Sequence, residues 1–174
     1  AIMHAMTAHK HERSLLTVAV VARNAASTLG GLLAALRDQH QPLERLLVDD
    51  GSQDESAELA RSAGWRVIGF KRPAGTAAAR QLAVENCNTP YLAFTDADCV
   101  PANDWIDRLL CHCASRAAPQ VIVGNTITPC STLLANTIAA LGFPGGGSIG
   151  FDAVWPVAPD GRTVTFCTCN CMMH

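Results

Sequence analysis

Residues 15–22 (LLTVAVVA) form an unbroken apolar, valine-rich run. Such a run predicts a strand buried on both faces, as in a parallel sheet. Arg23 and Asn24 end it. Leu29, Leu32, Leu33 and Leu36 then recur at helical spacing, with Asn24 or Ser27 as the expected cap. Gln41-Pro42 stops that helix. Residues 43–48 predict a second strand, ending in Asp49-Asp50-Gly51-Ser52. Asp54 is placed to cap the next helix, with Ala57, Leu59, Ala60 and Ala63 as its buried stripe and Gly64 closing it. Residues 65–70 (WRVIGF) predict a third strand. Pro73-Ala74-Gly75 makes a turn, and residues 76–87 an alanine-rich helix. Residues 91–95 predict a fourth strand, punctuated by Pro90 and Pro101. Asn103 is the expected cap of a helix carrying Trp105, Ile106, Leu109 and Leu110, and residues 121–127 predict a fifth strand. After Thr128 the pattern degrades, with residues 162–169 as a weaker final strand.

Strands alternating with helices of this length predict right-handed βαβ units, and so an α/β fold with a parallel sheet covered on both faces. The 174 residues suit one domain with a sizeable core. Hydrophobic residues make up 49% and charged residues 16%, yet no run reaches the roughly 18 apolar residues of a spanning helix. The net charge of −2, without a basic run, argues against a nucleic-acid partner. Residues 1–13 have no periodic pattern and read as a loose N-terminus, with no secretory signal.

Ligands of such sheets bind outside the carboxyl ends of the strands. Three of these ends are polar here: Arg23-Asn24, Asp49-Asp50-Gly51-Ser52 and Asp96-Ala97-Asp98. Asp96 and Asp98 would share one face if their strand continued. Two close carboxylates repel, and Mg²⁺ or Mn²⁺ relieves that repulsion, typically with one or two carboxylates plus substrate phosphates. A glycine fingerprint at Gly145, Gly147 and Gly150 follows no strand and opens no helix, so a loop near the site fits it better than a dinucleotide site. Of the eight cysteines, Cys167, Cys169 and Cys171 alternate and would share one strand face as small hydrophobes. With His174 they lack the usual spacing of a zinc site, and reduced thiols are expected.

Residues 17–24 (TVAVVARN), 46–54 (LLVDDGSQD), 75–80 (GTAAAR) and 95–98 (TDAD) together resemble the ordered motifs of family 2 glycosyltransferases with the GT-A fold, across roughly residues 15–110. The resemblance implies a Rossmann-like, mostly parallel sheet with helices on both faces. It implies a nucleotide-sugar-binding half at 14–128 and a partial acceptor-side region at 129–174. Its function would be inverting, metal-assisted transfer of a sugar from a nucleotide-diphosphate donor to an acceptor hydroxyl. Asp50 is similar to the residue that accepts a hydrogen bond from the base. The backbone at Ala22 and Arg23 would line base and ribose, and Arg80 would lie near the diphosphate. Asp98 would coordinate Mg²⁺ or Mn²⁺, and Asp96 would contact ribose or a metal-bound water. A UDP-sugar is the expected donor, and a carbohydrate or lipid-linked molecule the expected acceptor, in the cytoplasm or at the inner face of the membrane through peripheral association.

Two departures stand out. The family's catalytic base lies beyond the segment that residues 169–174 resemble, and Asp152 and Asp160, the only later acids, do not match its motif. The catalytic base is therefore unassigned. The first strand ends Val-Ala-Arg-Asn, without the aromatic platform of many members, and Arg23 is the residue left to stack on the base. The competing reading is a nucleotide-sugar-binding module, or a truncated fragment, that lacks the base. A phosphoacceptor receiver domain also ends a strand in an acidic pair. It needs a lysine at a late strand end, and Lys71 is misplaced for that role.

Overall fold

The computed structural model describes residues 14–114, 121–124, 126, 132–134, 137, 158–160 and 169–174. They build a six-stranded sheet in the order β3-β2-β1-β4-β6-β5. The strands are β1 (Leu16–Ala22), β2 (Leu43–Asp50), β3 (Arg66–Phe70), β4 (Tyr91–Asp96), β5 (Val121–Val123) and β6 (Asn170–Met173). The helices are α1 (Ala26–Arg37), α2 (Ser56–Ser62), α3 (Thr76–Glu85) and α4 (Trp105–Cys111). The β1–β2, β1–β4 and β2–β3 pairs are parallel, whereas β6 runs antiparallel between β4 and β5. The α/β class and mostly parallel sheet expected from the sequence are therefore present.

Central β1 explains its own composition. Val18, Val20 and Ala22 point to one face, where they meet Leu29, Leu32 and Leu36 of α1, Ala60 of α2 and Ile106 and Leu109 of α4. Ala19 points to the other, where Leu46, Val48 and Phe94 pack against Ala79 and Ala83 of α3. Both faces of β1 are covered, with only Val21 half-buried, so no polar alternation survives in it. Each large aliphatic side chain buried this way stabilises the fold by about 1.5–3 kcal/mol.

Several local expectations differ. In α2, Ala60 is buried, but Leu59 and Ala63 face solvent and Ala57 is half-buried. The helix has only seven residues, and Ser56 and Trp65 fill the inward positions instead. Residues 162–168 lie outside the described residues, as does most of the 129–174 region. The last described strand is Asn170–Met173, paired so that Cys171 lies opposite Phe94 and Met172 opposite Ala93. Cys171 is fully buried and serves as a small hydrophobe there. Cys87, Cys99, Cys111 and Cys113 carry free thiols.

Asn103 does not cap α4. The start of α4 is held instead by Gln39, which is 8% exposed. Its Oε1 accepts from Ile106 N–H at 3.2 Å, and its Nε2 donates to the carbonyls of Ala35 and Ala102 at 3.1 and 2.8 Å. One amide thus joins the end of α1 to the start of α4. Replacing it with leucine takes the acceptor from the buried Ile106 N–H and one donor each from the Ala35 and Ala102 carbonyls, the latter keeping the Trp105 N–H at 3.0 Å, at about 1–3 kcal/mol for a buried group left without a partner. Gln39→Leu is expected to lower Tm by roughly 5–10 °C in a thermal melt. A shift under about 2 °C would show that water replaces the amide.

Candidate functional site

Register places the candidate residues side by side. Ala22 lies opposite Asp49 across β1–β2, and Val21 lies opposite Asp96 across β1–β4. The carboxyl ends of β2, β1 and β4 therefore form one continuous edge.

On β4 the strand stops at Asp96, and the N–H of Cys99 donates to the Asp96 carbonyl at 3.0 Å, closing a turn. The strand does not continue through Asp98, so the shared-face expectation does not hold. Asp96 is half-buried against the sheet, whereas Asp98 stands exposed on the turn. Arg80 reaches across from α3, and its Nη2 donates to Asp96 Oδ1 at 3.1 Å, with the two side chains 27% and 41% exposed. The Asp96 carboxyl is pushed above the usual carboxylate range. Burial is the main cause and the nearby Asp98 charge adds to it, while the charge and hydrogen bond of Arg80 oppose both.

At the end of β2 the two acids divide. Asp50 is 4% exposed and accepts the N–H of Ala74 at 2.6 Å and that of Gly75 at 3.1 and 3.2 Å. Both its oxygens thus hold the turn that opens α3, on the side of the sheet opposite Asp49. Asp49 is half-buried, and its Oδ1 accepts the Ser52 N–H at 3.1 Å within its own turn. Gly51 follows at φ +72°, and a Cβ there would come within 2.9 Å of the Arg72 carbonyl carbon and the Pro73 nitrogen. Glycine lets the turn after β2 lie directly on the turn after β3.

The turn after β1 is tied to the turn after β2. Asn24 adopts φ 52°, its N–H donates to Ser52 Oγ at 3.0 Å, and its Oδ1 accepts the Gln53 N–H at 2.8 Å. Neither Asn24 nor Ser27 caps α1. The N–H groups of Ala25 and Ala26 donate instead to Ser56 Oγ at 2.8 Å and Asp54 Oδ2 at 3.0 Å. Asp54 also receives the Ser56 N–H at 3.0 Å, as expected for the start of α2. Hydrogen bonds from the Ser56 hydroxyl and then Ala26 hold its carboxyl below the usual range. Arg23 is exposed at the rim of this network, beside buried Ala22.

The profile of the family described as glycosyl transferase family 2 matches residues 17–131. The chain belongs to this family. An uncharacterised glycosyltransferase of Haemophilus influenzae is 36% identical over 85 residues, covering 46% of this chain and 34% of that relative. Among solved structures, the S. aureus protein TarS 1–349 in complex with UDP-GlcNAc matches with a TM-score of 0.56 at 19% identity, over 72% of this chain and 43% of that one. The Pyrobaculum calidifontis mannosyltransferase PcManGT, in complex with GDP-Man and Mn²⁺, matches with a TM-score of 0.58 at 23% identity, over 68% of this chain and 37% of that one. The chain therefore spans about a third of the curated relative it matches, and the solved structures establish the GT-A fold.

In this family member the acidic turn suits a hard divalent cation. Asp96 and Asp98 crowd each other, and one guanidinium offsets only part of their charge. Among the described residues no group of three or more His, Cys, Asp or Glu could form an all-protein cage. No helix among the described residues is long and apolar enough to cross a membrane.

Of the site residues expected from the motifs, Ala22, Arg23, Asp50, Arg80, Asp96 and Asp98, the structure brings Arg80 and Asp96 into contact and turns Asp50 to the N–H groups of Ala74 and Gly75. Reading the sequence alone missed the lattice of Asn24, Ser52, Asp54 and Ser56. Its signal was present as a run of turn-forming polar residues in both loops.

Proposed function

We propose that this chain carries the donor-binding half, residues 14–128, of an inverting, metal-assisted glycosyltransferase that uses a nucleotide-diphospho-sugar, with UDP as the expected nucleotide. The observation that carries this reading is the cluster of Arg80, Asp96 and Asp98 on the same sheet edge as Ala22 and Asp49, within a family 2 chain.

In the transfer, an acceptor hydroxyl oxygen attacks the anomeric carbon. The bond from that carbon to the diphosphate oxygen breaks, and the hydroxyl proton passes to a catalytic base, to which no residue is assigned. Negative charge builds on the departing diphosphate. Asp98 and Asp96 would hold Mg²⁺ or Mn²⁺, which supplies Lewis-acid stabilisation of that charge. Arg80 adds a fixed guanidinium whose planar fork suits phosphate oxygens. The backbone at Ala22 and Arg23 lines the base and ribose, with Arg23 free of the sheet to stack. Asp50 shapes the pocket wall by holding Ala74 and Gly75. We assign the acceptor for the base N–H to Asp49, which lies in register beside Ala22 on the same side of the sheet. A carbohydrate or lipid-linked acceptor would be met by the 129–174 region.

Calorimetry of UDP and GDP binding, with and without Mn²⁺, tests the donor site. Binding of UDP that needs Mn²⁺ is expected. Failure of both nucleotides under Mn²⁺ and Mg²⁺ would rule the donor reading out.

A further inference from the structure

The Arg80–Asp96 pair occupies one of the two carboxylates that would take the cation. This guanidinium is not a loose surface group. Its helix, α3, is held at its start by Asp50, which captures the N–H groups of Ala74 and Gly75. It is seated along its length by Ala79 and Ala83, both fully buried against β2 and its neighbours. Arg80 follows Ala79 directly, so it projects at the sheet edge where β4 ends, and Nη2 meets Asp96 Oδ1 at 3.1 Å.

The local charge then matters. Asp96, Asp98 and Arg80 together carry one net negative charge. Mg²⁺ and ions like it part reluctantly with water and need more anionic oxygen than that. A diphosphate sugar donor brings about two further negative charges on oxygens that bridge to a cation. We propose that Arg80 is a resident counter-charge for the acidic pair, which makes divalent-cation binding conditional on the nucleotide diphosphate. The proposal rests on the donor-site reading above. Arg80 is in this sense a positioning residue. It keeps Asp96 neutralised and in place before the donor arrives, and it yields that oxygen when cation and diphosphate enter together. By reciprocity, the factor by which UDP tightens Mn²⁺ equals the factor by which Mn²⁺ tightens UDP.

The test measures Mn²⁺ binding directly, from the paramagnetic resonance signal of free Mn²⁺, for the native chain and for Arg80→Gln, Arg80→Met and Arg80→Lys. Each is measured with and without UDP. In the native chain UDP is expected to tighten Mn²⁺ by about tenfold or more. The two neutral variants are expected to bind Mn²⁺ alone about fivefold or more tighter than the native chain, with the gain from UDP correspondingly smaller. Arg80→Lys, which keeps the charge, should stay near the native value. Neutral variants whose affinity for Mn²⁺ alone is unchanged or weaker overturn the counter-charge role while leaving the donor site standing. A native chain that binds Mn²⁺ neither alone nor with UDP removes the donor site and this proposal together. Should the neutral variants fail to fold, the native chain still decides, because a Mn²⁺ affinity indifferent to UDP contradicts the coupling.

Discussion

Asp98→Ala is expected to abolish Mn²⁺-dependent UDP binding, with affinity falling by about 100-fold or more, while the melting temperature stays where it was. The contrast follows from where Asp98 sits. It is exposed on the turn just past β4, outside the strand ladder. Among the described residues its carboxylate receives only a long contact from the Cys99 thiol at 3.8 Å. Removing such a side chain costs the fold little. Asp96→Asn should differ in kind. It weakens the same metal site, but it also takes the opposing charge from Arg80, which is left with a neutral amide oxygen as its acceptor in a half-buried edge. Its stability should therefore change along with binding. Calorimetry and a thermal melt on the two variants separate the effects. An Asp98→Ala chain that still binds UDP only when Mn²⁺ is added would move the metal away from this turn.

Gly69→Ala is expected to be the most destabilising single substitution in the β2–β3 half of the sheet. Gly69 pairs with Asp49 across two parallel strands at φ +158°. A Cβ at this position would fall inside the Asp49 carbonyl, with the Asp49 backbone nitrogen only 2.9 Å away. Neither atom is the end of a flexible side chain, so relief requires β3 to separate from β2. The cost is expected at about 3–4 kcal/mol, combining backbone strain with lost pairing. That corresponds to roughly 10 °C in Tm for a chain of this size. Because Asp49 and Asp50 end the strand that β3 would leave, UDP binding should weaken too. A Gly69→Ala chain that melts within about 3 °C of the native one would mean that the two backbones can part cheaply.

Gly69 also shows where the sequence was legible and where it was not. The run 65–70 read as a strand from Trp65, Val67, Ile68 and Phe70, and the strand is there. The glycine within it marks a close backbone approach, but which backbone approaches depends on sheet order, which periodicity does not carry. The same boundary runs through the candidate site. Asp50, Asp96 and Asp98 stood out because strand ends are punctuated by a change from apolar to acidic residues, and Arg80 only through its place in the motif order. The division of labour between Asp49 and Asp50 was hidden, because it depends on the turn at Ala74 and Gly75 lying within hydrogen-bond reach. Capping failed for a related reason. Asn24, Ser27 and Asn103 are good cap residues by type, yet the donors at the start of α1 are met from the loop after β2, and those of α4 from Gln39. Strand β6 escaped because its four residues, Asn170–Met173, are a strand only by virtue of the slot between β4 and β5.

The cross-loop hydrogen bonds of Asn24, Ser52, Asp54 and Ser56 have a consequence for how the molecule breathes. The amides of Asn24, Ala25 and Ala26 are protected by side chains of the next loop, and the amide of Gln53 by a side chain of the previous one. Neither loop can lift away without exposing donors of the other. In native-state hydrogen exchange these four amides would share a single opening event, and α1 and α2 would behave as one cooperative unit. A nucleotide resting on this edge would slow the exchange of all four together, including amides it never touches.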